Sequence, residues 1–174
     1  MSKPAFALAV FFCSLMLPTY HYAADTSTAV SGYWVGDTSI LHIEAQAGQL
    51  RATIVALKDP VYLASEDIGT PGAPRTDNNN PDPELQGRAL LGLNLLTAYR
   101  YRDGRWQGKI YDPESGNTYS SRMSVDRQGR LNMRGYIGAP MFGRTAVFMP
   151  LSDCSENVQV MLNRSQRQLE ICEI

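Results

Sequence analysis

The stretches "RWQGKIY", "TYSSRMSV", "LNMRGYIG" and "GRTAVFM" carry side chains that could hold an anion. At alternate positions stand Lys109 and Tyr111, then Arg122, then Arg134 and Tyr136, with Arg144 following. A guanidinium is a planar fork matched to a carboxylate, and a phenol adds a hydroxyl donor. The candidate ligand contacts are therefore Arg134 and Tyr136 at a head group, with Lys109, Tyr111 and Arg144 nearby. The same alternation places Trp106, Gly108 and Ile110, Met123 and Val125, and Leu131, Met133, Gly135 and Ile137 on the opposite face. If that apolar face is the inner one, the basic row points into solvent, as charged side chains mostly do. A wholly apolar interior, however, offers nothing to orient a ligand. The residues leave both orientations open.

Other chemistry finds less support. Asp112 and Glu114 could do acid–base work, but "YDPESGN" is ordinary turn chemistry. A Ser-His-Asp arrangement would have to recruit His42, and no serine stands in a G-x-S-x-G elbow. Beyond residue 24, one histidine and two thiols expected to bridge cannot supply a tetrahedral zinc set, and no Gly-rich loop leads from a strand into a helix. The run Asp77 to Asp82, "DNNNPD", presents oxygen donors of the kind calcium uses. It lacks the glycine and distal glutamate of a recognised calcium loop, so a structural turn is expected there. No catalytic residue, metal or cofactor is assigned.

The elements that would position these groups are strands. "ILHIEA" alternates, with Leu41 and Ile43 on one face and His42 and Glu44 on the other; Gly48 marks a turn, and "LRATIVALK" resumes the pattern. A long loop, Asp59 to Glu84, holds five of the ten prolines. "ALLGLNLLTAYRYR" then reads as a strand, with Leu91, Leu93 and Leu95 on one face continued by Tyr99 and Tyr101, and Asp103-Gly104 is a strong hairpin signal. Turns recur at hairpin spacing to "GRTAVFM". About eight antiparallel strands should close into a small up-and-down barrel, which removes the sheet edges; a two-sheet sandwich is the alternative.

The chain ends read differently. Lys3, the apolar run Ala5 to Leu17, Pro18 and the small residues Ala23 and Ala24 form the layout of a secretory signal peptide over residues 1–24, cut near Ala23 or Ala24. That run is too short for a permanent span. Removal of Lys3 leaves 15 basic groups against 17 acidic ones, which offers no overall field for nucleic acid. Residues 25–150 are the size of one domain, and residues 151–174 form a tail with helical spacing. In an oxidising compartment Cys154 and Cys172 should bridge, stabilising by roughly 3 kcal/mol.

"DNNNPDPELQGRALLGL", "GKIYDPESGNTYSSRM" and "RGYIGAPMFGRTAVF", with an early Gly32-Tyr33-Trp34, together resemble a bacterial family known as domain of unknown function 2147. The likeness spans roughly Gly32 to Pro150. It implies a small exported protein whose all-β barrel is similar to those of lipocalins and fatty-acid-binding proteins, and it brings no established activity. The Tyr62 to Arg75 loop and the cysteine-closed tail depart from the family pattern. "RGY", Arg134 to Tyr136, resembles the Arg-x-Tyr pair with which fatty-acid-binding proteins hold a head group. The leading expectation is non-catalytic binding of a small, partly apolar, anionic molecule by a periplasmic or secreted barrel. The alternative is an envelope interaction protein with a filled barrel, contacting a protein partner through the Tyr62 to Pro83 loop. A hydrolase comes third.

Overall fold

A computed structural model describes residues 29–46 and 49–172 of the chain. The leader expected over residues 1–24 and the turn at Gly48 lie outside the described residues. Eight strands follow one another: β1 Gly32–Val35, β2 Ser39–Gln46, β3 Gln49–Leu57, β4 Leu96–Arg102, β5 Arg105–Asp112, β6 Asn117–Val125, β7 Leu131–Tyr136 and β8 Arg144–Pro150. All pairings are antiparallel, in the order β3-β2-β1-β8-β7-β6-β5-β4. The strands thus form the expected antiparallel barrel, not a sandwich, and it is nearly closed.

Local chemistry explains the hairpins. Asp103 and Gly104 have φ of 51° and 73°, the left-handed pair that matches strand twist in a two-residue turn. Between β6 and β7, the Asp126 carboxylate accepts from the backbone N–H groups of Gln128 and Arg130 and from the Arg130 guanidinium. Trp34, Leu41, Ile43, Leu50, Ala52, Ile54, Met123, Leu131 and Met133 are all buried inside the barrel. The apolar alternation of these strands is therefore the inner face.

β4 departs from the simple alternation. A bulge between Thr97 and Arg100, with Ala98 at φ 54°, turns both Leu96 and Tyr99 inward. Gly108 makes this possible, since a Cβ there would stand 2.8 Å from the Tyr99 Cα. The first half of the leucine run is also not a strand. It turns at Gly92, φ 88°, and Leu93, Leu95 and Leu96 are buried instead. Residues 92–95 serve as the last rung of the barrel. Ile54 donates to the Leu93 carbonyl, Gly92 to that of Ile54 and Leu95 to that of Ala52, so the free edges of β3 and β4 are tied together.

Tyr99 donates to Ser121 at 2.6 Å in the core. Burial pushes its hydroxyl up to about 12 from the usual 10. The neutral form is the one the fold accepts, so the stabilisation is complete below pH 10 and is lost as pH rises towards 12. Unfolding free energy should fall by about 1.4 kcal/mol per pH unit across that window. Denaturant titrations of wild type and Tyr99→Phe check this, the phenylalanine variant lacking that component.

The tail forms helix α1, Glu156–Arg164, which lays Val158, Met161 and Leu162 on Ile40 and Ala56 of the outer wall. Ile40 faces outward by ordinary alternation with the inward Leu41, and the register shift between them, which skips Val55 on β3, turns Ala56 outward beside it although Ile54 faces the interior. Ser165 Oγ donates to the Leu57 carbonyl and accepts from the Leu57 N–H. Cys154 and Cys172 are bonded, with Cα atoms 5.4 Å apart.

Candidate functional site

The ends of β3, β5 and β7 and the starts of β4, β6 and β8 meet at one mouth of the barrel. A cavity of about 730 Å³ opens there. Its walls are Leu41, Leu95, Ile110, Met133, Ala146 and Phe148, and its rim carries Tyr119, Tyr136 and Arg144. Pairing fixes these directions: Gly135, which stands on the inner face with Met133, opposes Arg144, and Met133 opposes Ala146. Arg144 therefore shares the inner face with Ala146 and Phe148. Among the described residues its side chain has no ion pair or side-chain hydrogen bond. A guanidinium free to bond stands at the opening of an apolar chamber.

Of the five residues singled out by type and spacing, Tyr111, Tyr136 and Arg144 border this cavity. Lys109 and Arg134 do not. Lys109 pairs with Ser120 and Arg134 with Arg122 and Thr145, all with the outward parity. Arg134 is moreover engaged, its Nε donating to the Pro140 carbonyl at 2.7 Å, Nη2 to that of Met141 and Nη1 to Thr145 Oγ1. It braces the 137–143 connection, and the basic row belongs to the outer wall. Tyr119 was missed by sequence reasoning, although its spacing from Ser121 and Met123 marks it as inward-facing. Asp112 and Glu114 form a turn, with Asp112 accepting from the Glu114 N–H and the Ser115 hydroxyl.

Residues 58–95 form a strap across the mouth, and the "DNNNPD" run is its fastening. Asp77 is 0% exposed. Its carboxylate accepts from the Tyr111 hydroxyl at 2.6 Å, from Asn80 Nδ2 at 2.7 Å and from Arg88. Desolvation first, then donation to Asp77, raises the Tyr111 hydroxyl above its ordinary value. Asn80 and Asp82 make the side-chain-to-backbone bonds expected of a structural turn, Asn80 Oδ1 to the Asp82 N–H and Asp82 Oδ1 to that of Glu84. Asn79 reaches the Pro113 and Glu114 carbonyls. Gly116, at φ 68°, fits only without a side chain, because a Cβ would meet the Asn79 carbonyl. Beneath the strap lies a second cavity of about 400 Å³ that shares Leu95, Asp112 and Pro113 with the first.

Among the described residues, no group of three or more His, Cys, Asp or Glu side chains is placed to hold a metal. No helix there is long and apolar enough to cross a membrane. The disulfide points to an oxidising, non-cytoplasmic compartment.

Among solved structures, the chain is similar to protein HP1028 of Helicobacter pylori, described as belonging to the lipocalin family. The two are 18% identical, the match covers 80% of this chain and 90% of that one, and the TM-score is 0.57. At that identity the likeness speaks for the fold, a lipocalin-like barrel. No curated protein matches. Residues 32–149, from the first residue of β1 to the next-to-last of β8, match the family described as "Uncharacterized protein conserved in bacteria (DUF2147)". In sequence over most of its length and in architecture, the chain belongs to the DUF2147 family.

Proposed function

We infer that the protein binds, without transforming, a small molecule with an apolar body and an anionic head, held in the barrel mouth. The observation that carries this reading is the unpaired Arg144 guanidinium at the rim of an apolar cavity of about 730 Å³. That volume lies within the range of small-molecule sites, and the lining has their usual composition, apolar walls with a few polar groups. Arg144 would fork the head group, with Tyr119 as a hydroxyl partner; Tyr136 borders the opening but has the outward parity of Arg134, with Arg122 over its ring. Lys109 and Arg134, on the outer wall, leave this role. A filled barrel that acts only through its long loop has less support, since the loop spends its polar side chains on its own mouth. The disulfide supports an exported protein, periplasmic or secreted, matured by cleavage near Ala23 or Ala24.

The experiment is a titration of the mature protein with anilinonaphthalene sulfonate, an apolar anion that fluoresces when buried. Saturable binding is expected, weakened about tenfold by Arg144→Ala, the scale of one charge-assisted hydrogen bond. Mass spectrometry of organic extracts from protein purified from its own host would identify the natural guest. No saturable binding, or equal affinity in the Arg144→Ala variant, overturns the reading.

A further inference from the structure

Two features border the cavity, where Ile137 and Phe142 form part of its edge, and continue beyond it onto the outer surface. The connection between β7 and β8 displays Ile137, Met141 and Phe142, which are 76%, 76% and 79% exposed. It is displayed by backbone anchoring: Arg134 holds the Pro140 and Met141 carbonyls, and Gly143 lies so close to Gly135 that a Cβ would meet the Gly135 carbonyl. Such a lip is costly to leave in water and marks an interaction site. The second feature is the outer wall of β5 to β8. Its mouth-side rows are Lys109–Ser120–Tyr136 and Gln107–Arg122–Arg134–Thr145, two residues apart along the strands. They hold three cations and no acid, in a chain whose net charge is −1. The Arg122 guanidinium stands over the Tyr136 ring, 5.8 Å from its centre. The nearest acids by chain position are Asp112, three residues from Lys109 at the β5–β6 turn, and Asp126, four residues from Arg122 on the β6–β7 turn at the far end of the wall, where Arg130 pairs with it.

We propose that this lip and the basic rows dock the protein on an anionic lipid bilayer, lip first. Three large apolar side chains on a short braced loop suit shallow insertion into a headgroup layer, where no shaped pocket is required. Cations beside them gain from an anionic surface within a screening length. The acidic remainder of the chain would be repelled, so the charge distribution also sets the orientation. Docked this way, the mouth faces the layer that would supply or receive an apolar anion. The proposal extends the ligand-binding reading and rests on it for that purpose alone.

The test is co-sedimentation of the mature, ligand-free protein with phosphatidylcholine vesicles containing phosphatidylglycerol, and with phosphatidylcholine alone. Binding to the anionic vesicles and its loss in high salt are expected. Met141→Asp should reduce partitioning about tenfold or more, the scale of withdrawing one large apolar side chain. Lys109→Gln and Arg122→Gln should each reduce it about fivefold. Met141 does not line the cavity, so Met141→Asp should keep its affinity for anilinonaphthalene sulfonate. Failure to sediment, equal binding to neutral vesicles or indifference to Met141→Asp overturns the docking. A concentration-dependent dimer abolished by Met141→Asp, with no vesicle binding, makes a second copy the occupant and overturns it too. Vesicle binding by a protein that takes up no probe would remove the ligand reading and leave the docking standing.

Discussion

Asp77→Ala is expected to lower the unfolding free energy by about 3–4 kcal/mol, the largest effect of any single side chain outside the apolar core. Removing one partner of a buried charged pair typically costs about 3–5 kcal/mol, because the other groups keep their desolvation and lose their bond. Here the Tyr111 hydroxyl and the Asn80 amide are left without their carboxylate. Arg88 softens the loss, since its side chain is 36% exposed and can turn to water. For a domain of this size the midpoint should fall by roughly 6–12 °C. Asp77→Asn keeps the shape and an acceptor for Tyr111, and should fall between the two. Thermal and denaturant unfolding of the three proteins measure it; an Asp77→Ala midpoint within a degree or two of wild type would contradict the fastening role.

Loss of the Cys154–Cys172 bridge ranks second. The loop it closes spans 18 residues, for which the chain-entropy account gives about 3 kcal/mol. The effect should be local before it is global. Helix α1 shields Ile40 and Ala56, and its contacts alone must then hold it. A Cys154→Ser/Cys172→Ser variant should show faster amide exchange in β2 and β3, with the β5 to β7 wall unchanged. Equal exchange in both halves would show that the bridge does not govern the tail.

How much of this was legible beforehand depends on the range of the interaction. Leu41 against His42, Met123 against Arg122 and Met133 against Arg134 alternate within a few residues, and the barrel follows from them. The Asp103-Gly104 hairpin and the bridging of Cys154 and Cys172, the only two cysteines after Cys13, were equally local. The bulge at Ala98 was not: it exists because Tyr99 finds room over Gly108 on the next strand. Nor could spacing show that the leucine run breaks at Gly92, since its partners, Ala52 and Ile54, lie some forty residues earlier. The basic row was visible as a row, but alternation defines two faces without choosing the inner one. Arg144 was among the residues singled out, and its place on the cavity side follows from sharing parity with Ala146 and Phe148. The Asp77 cluster was read as a turn, which it is. Its grip on Tyr111, 34 positions away, left no trace in composition or period.

The strap also changes what mutation can do to this chain. Connecting segments ordinarily accept insertions and deletions freely, since little else depends on them. Here the segment between Leu57 and Leu96 contributes the closing rung, through Gly92, Leu93 and Leu95, as well as the mouth cover. A change of its length is therefore a change in the wall itself. On the ligand-binding reading proposed above, variation in guest preference should accumulate in the short connection after β7, where Ile137 and Phe142 border the cavity outside the strand ladder.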